Sequence, residues 1–251
     1  MTTRAYWKNG RQNFYDDGVN TTFKTGVWAN CPLTAMACDP TVAYEIFDDF
    51  LYTSDTELGE LYTATQATTG TFALDTSNPA GVALADSASG NATEGINVQL
   101  TSTLPFKPAA TKDIWFECRV KVVDTYDKAE LFIGLAAADT TIIATSANSS
   151  ANHIGWQCVT DDGVLLFTSE KAGTGTTSAA ATIAEATYIR LGFHVSGVST
   201  VQQYINGVAV GDPHETANIP IVGVTPSFVC QSGGTNDPIL HIDWYRCVQL
   251  R

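Results

Sequence analysis

The sequence predicts an all-β protein: an antiparallel jelly-roll β-sandwich over residues 43–251, preceded by an extended N-terminal arm over residues 1–42. Three observations carry this expectation. Apolar and polar residues alternate with a period of two along several segments from Ile114 onward. Asn-Gly and Asp-Gly pairs stand between such segments, where tight hairpin turns need residues that tolerate positive φ. Helical periodicity is scarce, and Thr, Ala, Gly and Ser are plentiful beside only 13 Lys and Arg.

In "DIWFECRVKVV", residues Ile114, Phe116, Cys118, Val120 and Val122 share one face, and Glu117, Arg119 and Lys121 share the other with Trp115. That is the pattern of a half-buried strand. In "TYIRLGFHV" the apolar set is Ile189, Leu191, Phe193 and Val195, opposite Tyr188, Arg190, Gly192 and His194. Asn206-Gly207 in "VQQYINGVAVG" joins two strand-like runs, and Asp162-Gly163 joins Ile154–Val159 to Val164–Thr168. Further strands are expected at "TFALD", "GVALADS", "GINVQLTS", "AELFIGLAA", "PSFVCQS" and "ILHIDWYRCVQL". Many short strands with polar turns define a two-sheet sandwich.

Residues 1–42 follow neither period. They carry Tyr6, Trp7, Phe14, Tyr15, Phe23 and Trp28 among turn formers such as Asn9-Gly10 and Asp17-Gly18. A segment this short cannot bury its own aromatics, so these six residues are the expected docking set for another surface. The alternative is that the arm wraps its own sandwich.

At 251 residues the chain suits one large domain with an appendage. A hydrophobic content of 44% with 16% charged residues belongs to a folded protein. The formal net charge of -13, with no basic cluster to offset it, argues against nucleic acid and against anionic membranes as partners. No apolar run has the length of a signal-peptide core or approaches the ~18 residues of a membrane span, so maturation in a cytoplasm is expected. Cys31, Cys38, Cys118, Cys158, Cys230 and Cys247 are scattered without a CxxC pair and read as small buried hydrophobes. Cys31 and Cys38, close together on an irregular segment, are the expected exceptions.

No motif identifies an active site. In "AYEIFDDFLY" the alternation sets Tyr44, Ile46, Asp48 and Phe50 against Glu45, Phe47 and Asp49. Asp48 and Asp49 would point to opposite faces, whereas a retaining glycosidase needs two carboxylates converging within about 5–5.5 Å. The aspartates therefore read as the polar edge or turn of an opening strand, and no DxDxDG spacing marks a calcium loop. The four histidines, His153, His194, His214 and His241, show no HExxH or HxH spacing. "GTGTTSAAAT" from Gly173 reads as a Gly-containing loop lacking the GK[ST] of a phosphate-binding loop, and GxSxG is absent. The best polar constellation is His241, Asp243 and Tyr245, which the period places on one face of "HIDWYR". We expect a non-enzyme with no cofactor and no metal.

The segments "YEIFDDFL", "DIWFECRVKV", "AELFIGLAAADTTII", "YINGVAVG" and "PSFVCQSGG…LHIDWYRCVQLR", in that order, resemble structural proteins of tailed bacteriophages with a concanavalin A/laminin-G-like sandwich. The resemblance covers most of residues 44–251 and excludes the arm. It implies a non-enzymatic virion protein, a decoration or cement protein that binds the major capsid protein outside the head, assembled in the host cytoplasm. It supplies no catalytic residues. Lattice symmetry would favour a homo-oligomer, with a trimer expected. The alternative is a tail-fibre or carbohydrate-binding domain for host attachment, marked by exposed Trp or Tyr beside Asp or Asn in the loops. Deleting residues 1–42 is expected to leave a folded sandwich that no longer attaches.

Overall fold

The computed structural model describes residues 3–8, 11–16, 26–78, 80–88, 91–92, 94–100, 105–144, 147–160 and 162–251, and of residues 3–16 the backbone. Two antiparallel sheets make the sandwich. The seven-stranded sheet contains β4 (Tyr62–Ala67), β7 (Gly95–Leu100), β9 (Ala129–Ala136), β10 (Asn152–Cys158), β11 (Val164–Lys171), β12 (Thr174–Thr182) and β16 (Thr225–Ser232), in the order β12-β11-β10-β9-β16-β7-β4. The facing sheet contains β3 (Ala43–Asp48), β5 (Thr71–Leu74), β6 (Ala83–Asp86), β8 (Ile114–Val123), β13 (Ile189–Ser196), β14 (Thr200–Ile205), β15 (Val208–Glu215) and β17 (Ile239–Leu250). Its order is β15-β14-β13-β8-β17-β6-β5, with β3 pairing the second half of β17. The jelly-roll expectation stands.

The alternating residues of β8 and β13 do what their period dictates: Phe116, Cys118, Val120, Leu191, Phe193 and Val195 all enter one core. Its centre is aromatic, with Phe116 and Phe193 stacked at 5.0 Å and Phe167 5.7 Å from Phe193. The Asn206-Gly207 turn joins β14 to β15 with both φ values positive, at 51° and 79°.

Several expectations are corrected. β8 is buried on both faces along its first half, because residues 26–42 lie across the outer face of the eight-stranded sheet. Val27, Trp28, Leu33 and Met36 cover Trp115 and Val248 there. A short helix, α1 (Leu33–Cys38), stands where an irregular segment was expected. The sandwich therefore uses residues from 26 on, and the arm proper is shorter than 1–42. "GTGTTSAAAT" is not a loop: it forms the edge strand β12, entered through a tight turn at Ala172 and Gly173, both with positive φ. β4 and the helix before it, α2 (Asp55–Leu61), were likewise unforeseen. Within the arm, β1 (Thr3–Lys8) and β2 (Arg11–Asp16) pair as a hairpin in a sheet of their own, with Lys8 opposite Arg11.

Cys118, Cys158, Cys230 and Cys247 are buried as expected; Cys31 is half-buried and Cys38 exposed, both as free thiols. No helix among the described residues is long and apolar enough to cross a membrane.

Candidate docking and binding sites

Of the six aromatics expected to dock, only Trp28 has a described side chain, and it is committed to its own sandwich. Its indole Nε1 donates to Glu117 Oε2 at 2.6 Å, and Arg246 lies over its ring at 5.4 Å. Arg246 in turn pairs with Glu45 at 2.5 Å. Gly192 lies beneath this strap; a Cβ there would meet Val27 Cγ2 and the Phe116 carbonyl, each at 2.8 Å. Burial raises the Glu117 carboxyl, while the Trp28 bond and the nearby Arg190 guanidinium oppose the rise. Tyr6, Trp7, Phe14 and Tyr15 lie on the backbone of β1 and β2, and Phe23 lies outside the described residues.

The carboxylates of "AYEIFDDFLY" fall on the faces expected of them, but Asp48 is buried rather than at a polar edge. Its Oδ1 accepts from the Phe50 amide at 2.8 Å, and its Oδ2 accepts from the Tyr52 and Tyr62 hydroxyls, each at 2.5 Å. Tyr62 also meets the Tyr245 hydroxyl at 2.8 Å. This explains why the row His241, Asp243, Tyr245 fails. The pairing of β17 with β8 shifts register between Ile242 and Trp244, and that bulge turns Tyr245 into the core. His241 and Asp243 stay on the outer face, where Asp243 pairs with Arg119 and His241 Nδ1 stands 4.0 Å from Asp75.

Beside this network the chain opens a cleft of about 250 Å³. It is lined by Leu51, Tyr52 and Thr53 from the loop after β3 and by Asp75, Thr76 and Asn78 from the β5–β6 loop. Gly81, at φ +77°, closes its floor, because a Cβ there would strike the Asp49 carbonyl at 2.2 Å. Asp75 is held low by hydrogen bonds from Ser77, and burial with the Asp48 bond holds the Tyr52 hydroxyl high. The cleft therefore offers a carboxylate, an amide and a phenol that keeps its proton.

The outer face of the seven-stranded sheet is roofed over its middle strands. Ile142 and Ile143, in the β9–β10 connection, pack on Phe132 and Val229. Gln99 Nε2 donates to the Ala137 carbonyl and Gln99 Oε1 accepts from the Asp139 amide; Asn97 Nδ2 donates to the Asp139 carbonyl. A cavity of about 90 Å³ lies between Ile143 of this roof and β4, β7 and β16. The dispersed histidines serve the framework: His153 Nδ1 bonds the Ser150 carbonyl, and His214 bridges Ser169 at 2.7 Å and Ser178 at 2.5 Å. Among the described residues, no three His, Cys, Asp or Glu side chains gather as a metal-binding group.

No protein-family model and no curated protein sequence matches the chain. Solved structures do. A protein of unknown function from Shewanella oneidensis MR-1 aligns at TM-score 0.59 and 12% identity over 84% of this chain and 87% of that one. The endo-1,3-beta-glucanase of Streptomyces sioyaensis aligns at 0.56 and 15% identity over 84% and 98%. Peanut lectin aligns at 0.55 and 10% identity over 83% and 98%. At such identities the likeness shows the fold: this is a concanavalin A-like jelly-roll sandwich, a class in which carbohydrate-recognition domains and a glucanase share one architecture.

Proposed function

We propose that the chain is a non-enzymatic structural protein of a tailed-bacteriophage virion, a decoration protein that binds the major capsid protein on the outside of the head. The observation that carries this reading is the division of the molecule. The β9–β10 connection roofs the middle of the seven-stranded face, whereas among the described residues β1 and β2 form a two-stranded sheet of their own. A two-stranded hairpin is marginal alone in water and gains its order from a partner. The ordered resemblance of residues 44–251 to phage structural proteins supplies the identity of that partner. Binding only to the assembled lattice would stabilise the shell by mass action.

The test is co-sedimentation with expanded, undecorated capsids. The full chain is expected to pellet with shells at a fixed stoichiometry, and a chain lacking residues 1–25 to stay in the supernatant while remaining folded. Full binding by the truncated chain would remove the docking role of the arm, and no binding by the full chain would remove the capsid reading.

One observation favours a second reading, that of a carbohydrate-binding attachment domain. Tyr52 stands beside Asp75 and Asn78 in the loop cleft, the aromatic-plus-amide setting that sugar recognition uses. Binding on a glycan array that Asn78→Ala abolishes would support it.

A further inference from the structure

On the outer face of the seven-stranded sheet, Thr65 of β4, Asn97 of β7 and Val229 of β16 stand in one row across three strands, and Ala67, Gly95 and Gln231 form the next. Ala67 and Gly95 carry a single side-chain carbon, and the cavity of about 90 Å³ lies here, with Thr141 and Ile143 of the β9–β10 connection in its wall. Asn97 Nδ2 donates to the Asp139 carbonyl at 2.9 Å; a carbonyl only accepts, so this bond fixes which end of the amide is oxygen. The other end, Asn97 Oδ1, is buried and has no hydrogen-bond partner among the described residues. Asn97 itself is 6% exposed and lines the cavity. Buried acceptors are nearly always paired, so an unpaired one facing a cavity calls for a donor from outside the chain. The cavity is several times the roughly 10–15 Å³ that holds one water, and it takes a group of several heavy atoms.

The walls select that group. Asn97 Oδ1 accepts, so the group brings an N–H or O–H and is not an anion. No Asp or Glu is among the described lining residues to neutralise a cation, and Glu130, which accepts from Gln231 Nε2 at 3.0 Å, is not one of them. Val229 and Ile143 add buried aliphatic surface, and Thr65 and Thr141 add hydroxyls that donate as well as accept. A neutral group with one N–H, one carbonyl and one methyl answers all three demands, and that is an acetamido group. At the mouth Gln66, Thr140 and Thr141 are exposed. We propose that this cavity binds the acetamido group of an N-acetylhexosamine, with its N–H donated to Asn97 Oδ1, its methyl on Val229 and Ile143, and the sugar hydroxyls at Gln66 and Thr140. An acetylated lysine would bring the same amide on an apolar stem, which a polar mouth does not cover; a hydroxylated ring suits it. The site is preformed, because the Asp139 amide donates to Gln99 Oε1 while its carbonyl holds Asn97, pinning the connection in place. The inference goes beyond both functional readings: it uses neither the arm nor the cleft at Tyr52, Asp75 and Asn78, and shares with the second reading only the class of ligand.

The experiment is saturation-transfer NMR on the full-length chain, with N-acetylglucosamine, N-acetylgalactosamine, glucose and Nε-acetyl-lysine as separate probes. Transfer is expected to be strongest at the acetyl methyl protons of an N-acetyl sugar and absent with glucose. Ala67→Leu and Thr65→Ile, both at half-exposed positions, fill the cavity and are each expected to abolish the transfer without changing the melting curve. Asn78→Ala, in the loop cleft, is expected to leave it intact. Silence with both N-acetyl sugars, equal transfer with glucose, or transfer that survives both filling variants would overturn the proposal. Loss of transfer in Asn78→Ala alone would move the sugar to the cleft, and transfer confined to Nε-acetyl-lysine would make the ligand a protein; either result overturns it as well.

Discussion

The indole Nε1 of Trp28 donates a 2.6 Å hydrogen bond to Oε2 of Glu117, whose Oε1 stands 3.8 Å from the Arg190 guanidinium. This bond joins the root of the arm to the centre of the eight-stranded sheet. It makes residues 26–42 part of the folded body.

Truncation should separate this strap from residues 1–25. Removing residues 1–25 is expected to shift the melting temperature little. Removing residues 1–42 would expose Trp115 and Val248 and should cost about 3 kcal/mol or more. Urea denaturation of both truncations checks this, and equal stability of the two would contradict the strap.

Glu117 gives the strap a pH signature. Burial raises its folded pKa, so the folded state holds the proton more tightly than the unfolded chain does. Its contribution to stability is thus largest below the ordinary Glu range and is lost as pH rises through the raised value. Glu117→Gln keeps an acceptor for Trp28 and should flatten that part of the stability–pH curve while staying within about 1 kcal/mol of the parent at low pH. An unchanged slope would place the titration elsewhere.

Asp48 is the polar anchor of the sandwich end. Asp48→Ala would remove the acceptor of the Phe50 amide and of the Tyr52 hydroxyl and leave the Tyr62 hydroxyl with Tyr245 alone, and should cost about 3 kcal/mol. Tyr52→Phe, which removes one half-exposed donor, should cost roughly 1 kcal/mol. Chemical denaturation of the two variants is expected to preserve that order.

Much of this was legible in the sequence. Ile114, Phe116 and Cys118, like Leu191, Phe193 and Val195, lie where period two places them, and Asn206-Gly207 makes the turn its residues favour. The failures have local causes. A single bulge between Ile242 and Trp244 reversed the phase of β17 and hid Tyr245, and nothing in "HIDWYR" announces a bulge. β12 escaped notice because an edge strand of Thr, Ser, Ala and Gly has no apolar face to alternate. Trp115 looked misplaced among charges because its cover, residues 26–42, comes from far away in sequence. The loop cleft joins residues 50–53 to residues 74–82, a pairing made only by the tertiary fold.

Two buried histidines predict acid sensitivity. Burial lowers His153 to about 4 and also lowers His214. A depressed histidine leaves the unfolded chain binding more protons, so stability is full above the ordinary value of 6.5 and falls as pH drops below it. For His153 the full loss is about 3 kcal/mol by the time pH 4 is reached. His153→Gln should remove part of that slope in melting curves between pH 7 and about 4; an unaltered slope would contradict the assignment.

The measurement that bears most directly on the virion reading is the copy number of this protein in purified particles, by quantitative mass spectrometry against the major shell protein. A ratio near one, or a fixed simple fraction of one, is the predicted result for a lattice-wide decoration protein. A handful of copies per particle, or absence from it, would contradict the reading and return the loop cleft at Tyr52, Asp75 and Asn78 to first place.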